Sequence, residues 1–198
     1  MKKFLCVLLL MAFVLTGCGS APEEAKPVEP APPAEVDTSA QQEVKEQADE
    51  SGISGMASYP IRSVLSGDPF NIPMEDLTPA DGASGCAYTC SATGGGEGRG
   101  VMYDYSLTLD GDEEIIGASF GIVSTTANEE KLLTEADMYF YAVSLIEYDN
   151  SDKETLAKWF EDNLGTAGSE ATETTIGDAK FQLYGVPGAT YWVDISKA

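Results

Sequence analysis

The sequence contains no histidine, and this absence removes several common catalytic and metal-binding chemistries. Ser-His-Asp and Cys-His nucleophiles need an imidazole base, and most catalytic zinc sites include histidine ligands. Chemistry based on a carboxylate pair or on Ser-Lys remains open, although no motif marks either. No motif indicates a cofactor. The composition therefore favours a non-enzymatic role.

Basic residues are also scarce. Eleven lysines and arginines stand against 33 aspartates and glutamates, which gives a net charge of −22. A chain with this charge repels phosphate backbones, so we expect no nucleic-acid partner. Cations, neutral sugars and proteins with basic surfaces are the partners that this charge favours.

Only one long apolar run is present, at residues 4–15, and its 12 residues are too few to span a bilayer, which takes about 20. The run follows Met1-Lys2-Lys3 and is followed by small residues. A basic start, a short apolar segment and small residues before a cleavage position are typical of a secretory signal peptide. We therefore expect residues 1–17 to be removed.

Leu15-Thr16-Gly17-Cys18 resembles the lipobox of bacterial lipoproteins, in which leucine, small residues and an invariant cysteine occupy these places. The resemblance implies cleavage between Gly17 and Cys18 and a thioether-linked diacylglycerol on Cys18. Two acyl chains are enough for stable attachment without a polybasic patch. The implied location is the extracytoplasmic side of a cell membrane, with the membrane as a partner through the lipid.

Residues 18–51 contain five prolines and nine acidic residues but no aromatic residue. Such a segment buries too little apolar surface to offset the entropy of ordering. We expect a disordered tether that follows the lipidated cysteine and holds a folded domain away from the membrane. Residues 52–198 are long enough for that single domain and its own core.

Strand patterns occupy the first part of this domain. Apolar residues alternate from Val101 to Leu109 and again from Ile116 to Ile122, with turn chemistry at Asp110-Gly111-Asp112 between them. A similar alternation at residues 86–90 predicts a third strand upstream. Together these patterns predict an antiparallel meander.

Helical patterns follow. Apolar spacing of three and four predicts one helix around residues 136–146 and another around 154–164, the second starting at a capping box from Ser151 to Glu154. A closing hairpin comes last, with Pro187-Gly188 at its turn. The order β-β-β-α-α-β-β predicts an α+β domain: an antiparallel sheet of about five strands with two helices on one face.

The second half of the domain is similar in general pattern to small lipoproteins of unknown function from Gram-positive bacteria. Trp159, Ile176-Gly177 and residues 181–185 carry this similarity. It implies no activity.

Cys86 and Cys90 are the cysteines of the folded domain, and export makes a disulfide conceivable. If their segment is a strand, residues four apart lie about 13 Å apart, which is too far for a disulfide. A bond therefore requires a turn or helix here, and strand geometry favours two buried thiols instead.

Asp110, Asp112 and Glu114 are weak candidates for a calcium site, because calcium prefers clustered carboxylates. The EF-hand spacing is absent. The alternative is a solvated hairpin turn.

The solvent face of the closing hairpin is the candidate ligand surface. Gln182, Tyr184, Trp192 and Asp194 alternate with the apolar residues of both strands, so they point away from the core. Aromatic rings beside an amide and a carboxylate suit a sugar ring or a peptide. The alternative is that helices or the N-terminal segment cover both rings.

Three functional hypotheses follow. The leading one is a membrane-anchored extracytoplasmic binding or interaction module whose glycan or protein ligand is not specified. The second is a carboxylate-dependent hydrolase of cell-wall glycan, which needs two carboxylates about 5–10 Å apart. The third is a structural or assembly lipoprotein of an envelope complex.

Overall fold

The computed structural model describes residues 52–80, 85–95 and 98–198. The predicted signal peptide, the lipidated Cys18 and the tether of residues 18–51 lie outside the described residues. Within the described part of the chain, no helix combines the length and the apolar character needed to cross a membrane.

The described residues form an α+β fold, as predicted. Its elements in chain order are α1 (Ser58–Ser66), β1 (Thr78–Pro79), β2 (Tyr88–Gly94), β3 (Val101–Leu109), β4 (Ile115–Ser124), α2 (Glu129–Ser144), α3 (Lys153–Leu164), β5 (Thr172–Ile176), β6 (Ala179–Val186) and β7 (Thr190–Lys197).

All strands join one antiparallel sheet in the order β1-β2-β3-β4-β7-β6-β5. The meander β2-β3-β4 and the meander β5-β6-β7 meet where β4 pairs with β7. The sheet has seven strands, so the predicted five were too few. The two additional strands, β1 and β5, lie at its edges. β1 has two residues, and in β5 only Ile176 is buried, so neither strand shows an apolar alternation.

The predicted meander is correct in its alternation but wrong in one register. Ile115 is fully buried, whereas Ile116 is only half-buried. A bulge places Leu109 opposite Ile115 and Thr108 opposite Gly117, so Ile116 is the extra residue. The strand predicted at residues 86–90 begins later, at Tyr88.

Helices α2 and α3 cover one face of the sheet and complete the core. Tyr139 of α2 is fully buried, and its ring lies 5.1 Å from that of Tyr103 and 6.5 Å from that of Phe120. Phe160 of α3 packs edge-on against Phe181 at 6.4 Å. α1 packs beside α2. Aromatic side chains of α2 and α3 therefore pack on inward residues of β3, β4 and β6.

The predicted capping box of α3 is displaced by one residue. Asp152 is the N-cap, and its carboxylate accepts hydrogen bonds from the Thr155 backbone N–H at 3.0 Å and its hydroxyl at 2.7 Å. An aspartate here also suits the positive end of the helix dipole, which a serine hydroxyl does not. The predicted stop at Gly165 is confirmed as the C-cap.

The turn of the closing hairpin has the predicted type. The backbone N–H of Ala189 donates to the carbonyl of Val186 at 2.9 Å, and Gly188 has a φ of 75°. A positive φ at the third position is the requirement of a type II turn, and glycine meets it without strain.

Candidate ligand-binding face

The second face of the sheet has no described helix on it. Here we call it the open face. Its side chains on β2, namely Thr89, Ser91 and Thr93, are exposed, whereas Ser119 and Trp192, nearer the centre of the sheet, are half-buried. Because strand side chains alternate between faces, every long strand contributes polar residues to this surface.

One polar row crosses six strands of the open face. The backbone register places its members directly opposite one another, from β2 to β5: Ser91, Ser106, Ser119, Asp194, Gln182 and Glu173. Opposite residues in an antiparallel sheet have β-carbons about 5 Å apart, so neighbours in this row are within reach of each other and of a common ligand.

Asp194 is held in place by two hydroxyl groups. Ser119 donates to one carboxylate oxygen at 2.7 Å, and Tyr184 donates to the other at 3.0 Å. Burial, together with the hydrogen bond to Asp194, raises the pKa of Tyr184 to about 12. Tyr184 is therefore a donor at any physiological pH, and Asp194 is a fixed acceptor.

A positively charged residue, Lys180 on β6, lies near the far end of this row. Gln182 donates to Glu173, and Lys180 lies 2.8 Å from the same carboxylate. These two hydrogen bonds lower the pKa of Glu173. The charge of Lys180 is therefore balanced by that of Glu173, at the edge of the sheet farthest from β2.

Trp192 lies across the neighbouring row, and glycine makes this possible. The register places Asp104, Gly121 and Trp192 side by side. A β-carbon on Gly121 would lie 2.4 Å from the Cζ3 atom of the indole, so the ring rests on bare backbone. Trp192 is half-buried, which leaves part of the ring accessible.

Asp104 is the carboxylate beside this ring. Burial raises its pKa. The backbone carbonyl of Asp104 accepts a hydrogen bond from the Tyr139 hydroxyl at 2.6 Å, but no described group donates to its carboxylate. The carboxylate of Asp104, unlike that of Asp194, is therefore available to an incoming donor.

A groove of about 660 Å³ joins these groups to the edge of the sheet. It runs from the loop before β1, along β2, to Trp192. Three carboxylates line it, those of Glu75, Asp76 and Asp104, and no lysine or arginine does. The hydroxyl-bearing residues of the open face along the groove are Thr78, Thr89, Ser91, Thr93, Ser106 and Ser119.

The structure brings together the four residues that the sequence singled out. Gln182, Tyr184, Trp192 and Asp194 all lie on the open face, and in the described chain no helix covers the two rings. The contribution of β2 and of the loop before β1 was missed. The period-two pattern already placed polar residues on one face of each strand, but only the strand order shows which strands are neighbours.

The two cysteines are free thiols in the structure. Cys90 is buried on the helical face of β2, with its Sγ 3.8 Å from the Tyr105 hydroxyl oxygen. Cys86 precedes the strand, and its thiol is 3.4 Å from the carbonyl oxygen of Tyr88. The structure therefore has free thiols rather than a disulfide, but only Cys90 is buried, whereas Cys86 is half-buried.

Two of the three carboxylates considered for calcium, those of Asp110 and Glu114, accept hydrogen bonds from backbone amides, and the third residue, Asp112, is exposed. Asp110 accepts from Asp112 at 2.9 Å and Glu114 at 3.0 Å through one oxygen, and from Gly52 at 3.2 Å through the other. Glu114 accepts from the N–H of Gly55 at 2.8 Å. In the described ranges, no three possible metal-ligating side chains are grouped together.

A buried charged cluster on the helical face was also missed. Glu135 of α2 accepts from Tyr103 at 2.6 Å and from Arg99 at 2.9 Å. Burial opposes ionisation of Glu135, but these hydrogen bonds outweigh it and lower its pKa. The cluster fastens α2 to the start of β3.

Comparison of the chain with protein-family models, with curated proteins and with solved structures produced no match.

Proposed function

We propose that the protein is a lipid-anchored, extracytoplasmic binding module whose ligand occupies the groove on the open face. The lipobox at residues 15–18 supports the anchor. The absence of histidine and the lack of any grouped metal ligands in the described residues support binding rather than catalysis.

The main support for this proposal comes from Trp192 and Asp104, which lie on either side of Gly121 on the open face. An accessible indole supported on Gly121 lies beside a carboxylate that no described group satisfies. Aromatic rings stack on apolar ligand faces, while carboxylates and hydroxyls accept and donate hydrogen bonds. A groove with three carboxylates and no basic side chain selects neutral or cationic ligands and disfavours anions.

Tryptophan fluorescence of the full chain in detergent micelles tests this proposal. The chain has two tryptophans, so Trp159→Phe leaves Trp192 as the only reporter. We expect a neutral glycan fragment or a basic peptide to shift its emission, and acidic ligands to leave it unchanged. Trp192→Phe with Trp159 retained is the matched control, because Trp159 is on α3. Failure of every neutral and cationic ligand to shift the emission contradicts the proposal.

The anchor is tested separately by mass spectrometry of the amino terminus. We expect a mature chain that begins at Cys18 and carries a diacylglycerol, and a Cys18→Ser variant that lacks the lipid and leaves the membrane fraction. An unmodified amino terminus on a chain found in the cytosol contradicts this part of the proposal.

One observation favours glycan hydrolysis as a second candidate. A carboxyl group with a raised pKa, such as that of Asp104, is the property of a general acid. Asp194 lies two strands away, roughly 12 Å between α-carbons from ordinary sheet spacings, and hydrolysis requires the two carboxyl groups to come within about 5–10 Å of each other. Release of reducing ends from cell-wall glycan, abolished by Asp104→Asn, supports hydrolysis; binding without turnover excludes it.

A further inference from the structure

The outer edge of β2 is only partly paired. β1 pairs with it through two residues, Thr78 with Thr89 and Pro79 with Tyr88. The backbone N–H of Ala80 donates to the carbonyl of Ala87 at 2.8 Å, which fixes the hydrogen-bonding phase. Because backbone groups alternate between the two edges of an antiparallel strand, those of Thr89, Ser91 and Thr93 all point outward.

The chain before β1 runs along this edge without pairing with it. Three side chains of the helical face hold residues 73–75 below the sheet. Tyr105 donates to the carbonyl of Pro73 at 3.4 Å, the Arg62 guanidinium donates to the carbonyl of Glu75, and the Cys90 Sγ is 3.7 Å from that same oxygen.

The segment before β1 comes close to the β2 edge only near Ile72, beside Gly94. A β-carbon on Gly94 would lie 2.6 Å from the α-carbon of Ile72. Between this approach and Thr78, no described backbone group bonds to the N–H or C=O of Ser91 or Thr93. The groove opens here, and it is lined by five consecutive residues of β2, from Thr89 to Thr93. Consecutive lining residues show that the backbone edge itself forms one wall.

We propose that this edge docks an extended, basic segment of a partner protein, which adds as a short strand beside β2. The inference rests on the proposed function and specifies the ligand of the same groove. Strand addition satisfies the two unpaired N–H and two unpaired C=O groups of Ser91 and Thr93. A segment of about three to five residues spans them at ordinary strand rise.

Charge selects the occupant. Alternate side chains of an added strand project over the open face toward Asp104, while Glu75 and Asp76 lie in the segment along its outer side, and no basic residue lines the groove. Lysine or arginine at those positions pairs with the carboxylates of the groove. A second copy of this chain, at a net charge of −22, or its own segment 18–51, which has nine acidic residues, is repelled instead.

A set of three pentapeptides tests this inference on the full chain in detergent micelles. The probe is acetyl-Lys-Val-Lys-Val-Lys-amide. Its glutamate counterpart changes only the charge, and an N-methylated version keeps the charge but removes the backbone donors. We expect binding of the lysine peptide alone, with an affinity that falls as salt rises. Equal binding of the N-methylated peptide overturns strand pairing without any change to the protein.

Two substitutions at one position provide the matched protein variants. Ser91→Pro removes the outward N–H but leaves the ladder to β3, because the N–H of Ser91 points away from β3. Ser91→Ala removes only the hydroxyl. We expect at least a fivefold loss of affinity for the proline variant and less than twofold for the alanine variant. Thr93→Pro repeats the test if Ser91→Pro does not fold.

The outcomes separate this inference from the proposed function. If glycan shifts the Trp192 emission but no peptide binds, the inference is wrong and the binding module stands. If no ligand of any class binds, both are wrong. A dimer in light scattering that Ser91→Pro dissociates assigns the edge to a second copy. Recovery of peptide binding only after deletion of residues 19–51 assigns it to the chain's own tether. Either result overturns the basic partner.

Discussion

The two faces of the sheet are made from alternate residues of the same strands, yet they differ in almost every property. On the helical face of β3 and β4 lie Tyr103, Leu107, Phe120 and Ile122, all essentially fully buried. On the open face of the same strands lie Asp104, Ser106 and Ser119, which remain partly or fully exposed. Burial of the helical face stabilises the fold, and the side chains of the open face are available to contact a ligand.

Each face also contains an exception to this division into a buried apolar side and a more exposed polar side. Among its described residues the helical face includes a buried carboxylate, Glu135, whose Oε2 atom accepts two hydrogen bonds. The open face includes a tightly packed contact, Trp192 on Gly121. Substitutions at these exceptions and at ordinary positions test how far the division holds.

The largest effect is expected at an ordinary position of the helical face. Phe120 is fully buried against Tyr139, so Phe120→Ala leaves a cavity and should lower the free energy of unfolding by about 3–5 kcal/mol. Ser106→Ala, on the open face of the neighbouring strand, should change it by less than about 0.5 kcal/mol. Urea unfolding measures both. Similar losses in the two variants contradict the division of the sheet into a stabilising and a binding face.

The buried charge gives the next largest effect. Tyr103→Phe removes a donor from Glu135 and should cost about 1.5–3 kcal/mol near neutral pH. The folded state holds the pKa of Glu135 below its ordinary value, so its stabilisation is present above about pH 4.3 and is lost as the pH falls through the lowered folded pKa. The gap between wild type and variant should therefore narrow in acid. A gap independent of pH from 3 to 7 contradicts this role.

The packed contact on the open face should respond like a core position. Gly121→Ala drives a β-carbon into the indole of Trp192 and should cost about 1–3 kcal/mol, with a red shift of the Trp192 emission as the ring is displaced into water. Gly117→Ala is the matched control on the same strand and face, because its nearest contact is the Thr108 hydroxyl oxygen at 3.1 Å. Equal effects in the two variants contradict the role of Gly121 as the support of the ring.

The smallest effects should have opposite signs at the two open-face carboxylates. Asp194→Asn weakens the hydrogen bonds from Ser119 and Tyr184 and should cost about 0.5–1.5 kcal/mol. Burial raises the pKa of Asp104, so its ionised form disfavours folding, and Asp104→Asn should stabilise the protein at pH 7.

The gain for Asp104→Asn should stay below about 1 kcal/mol, because solvent screens a half-exposed carboxylate. It should vanish below about pH 4, where the carboxyl group is protonated in both the folded and the unfolded states. A loss of stability at pH 7 would show that Asp104 has a structural partner, which contradicts its assignment to the ligand.

Much of the fold could be predicted because it follows from short segments. The alternation of β3, the helical spacing around Tyr139, the C-cap at Gly165 and the turn at Gly188 each depend on a few neighbouring residues. The missed features leave no such pattern in the sequence. β5 has no apolar alternation because it is an exposed edge strand, and the bulge at Ile116 shows only in the pairing of β3 with β4.

The candidate site likewise combines features that the sequence predicted with features that it did not. The polar phase of β6 and β7 identified Tyr184 and Trp192, because side chains in a strand alternate whatever the neighbouring strand is. The sequence alone thus determined which side of each strand is apolar and which is polar. Only the tertiary structure decided that β4 pairs with β7, that the indole rests on Gly121, 71 positions earlier in the chain, and that the β2 edge is left unpaired. The physical reason is that periodicity is a local property, whereas strand order is set by how distant segments bury their apolar faces under the helices.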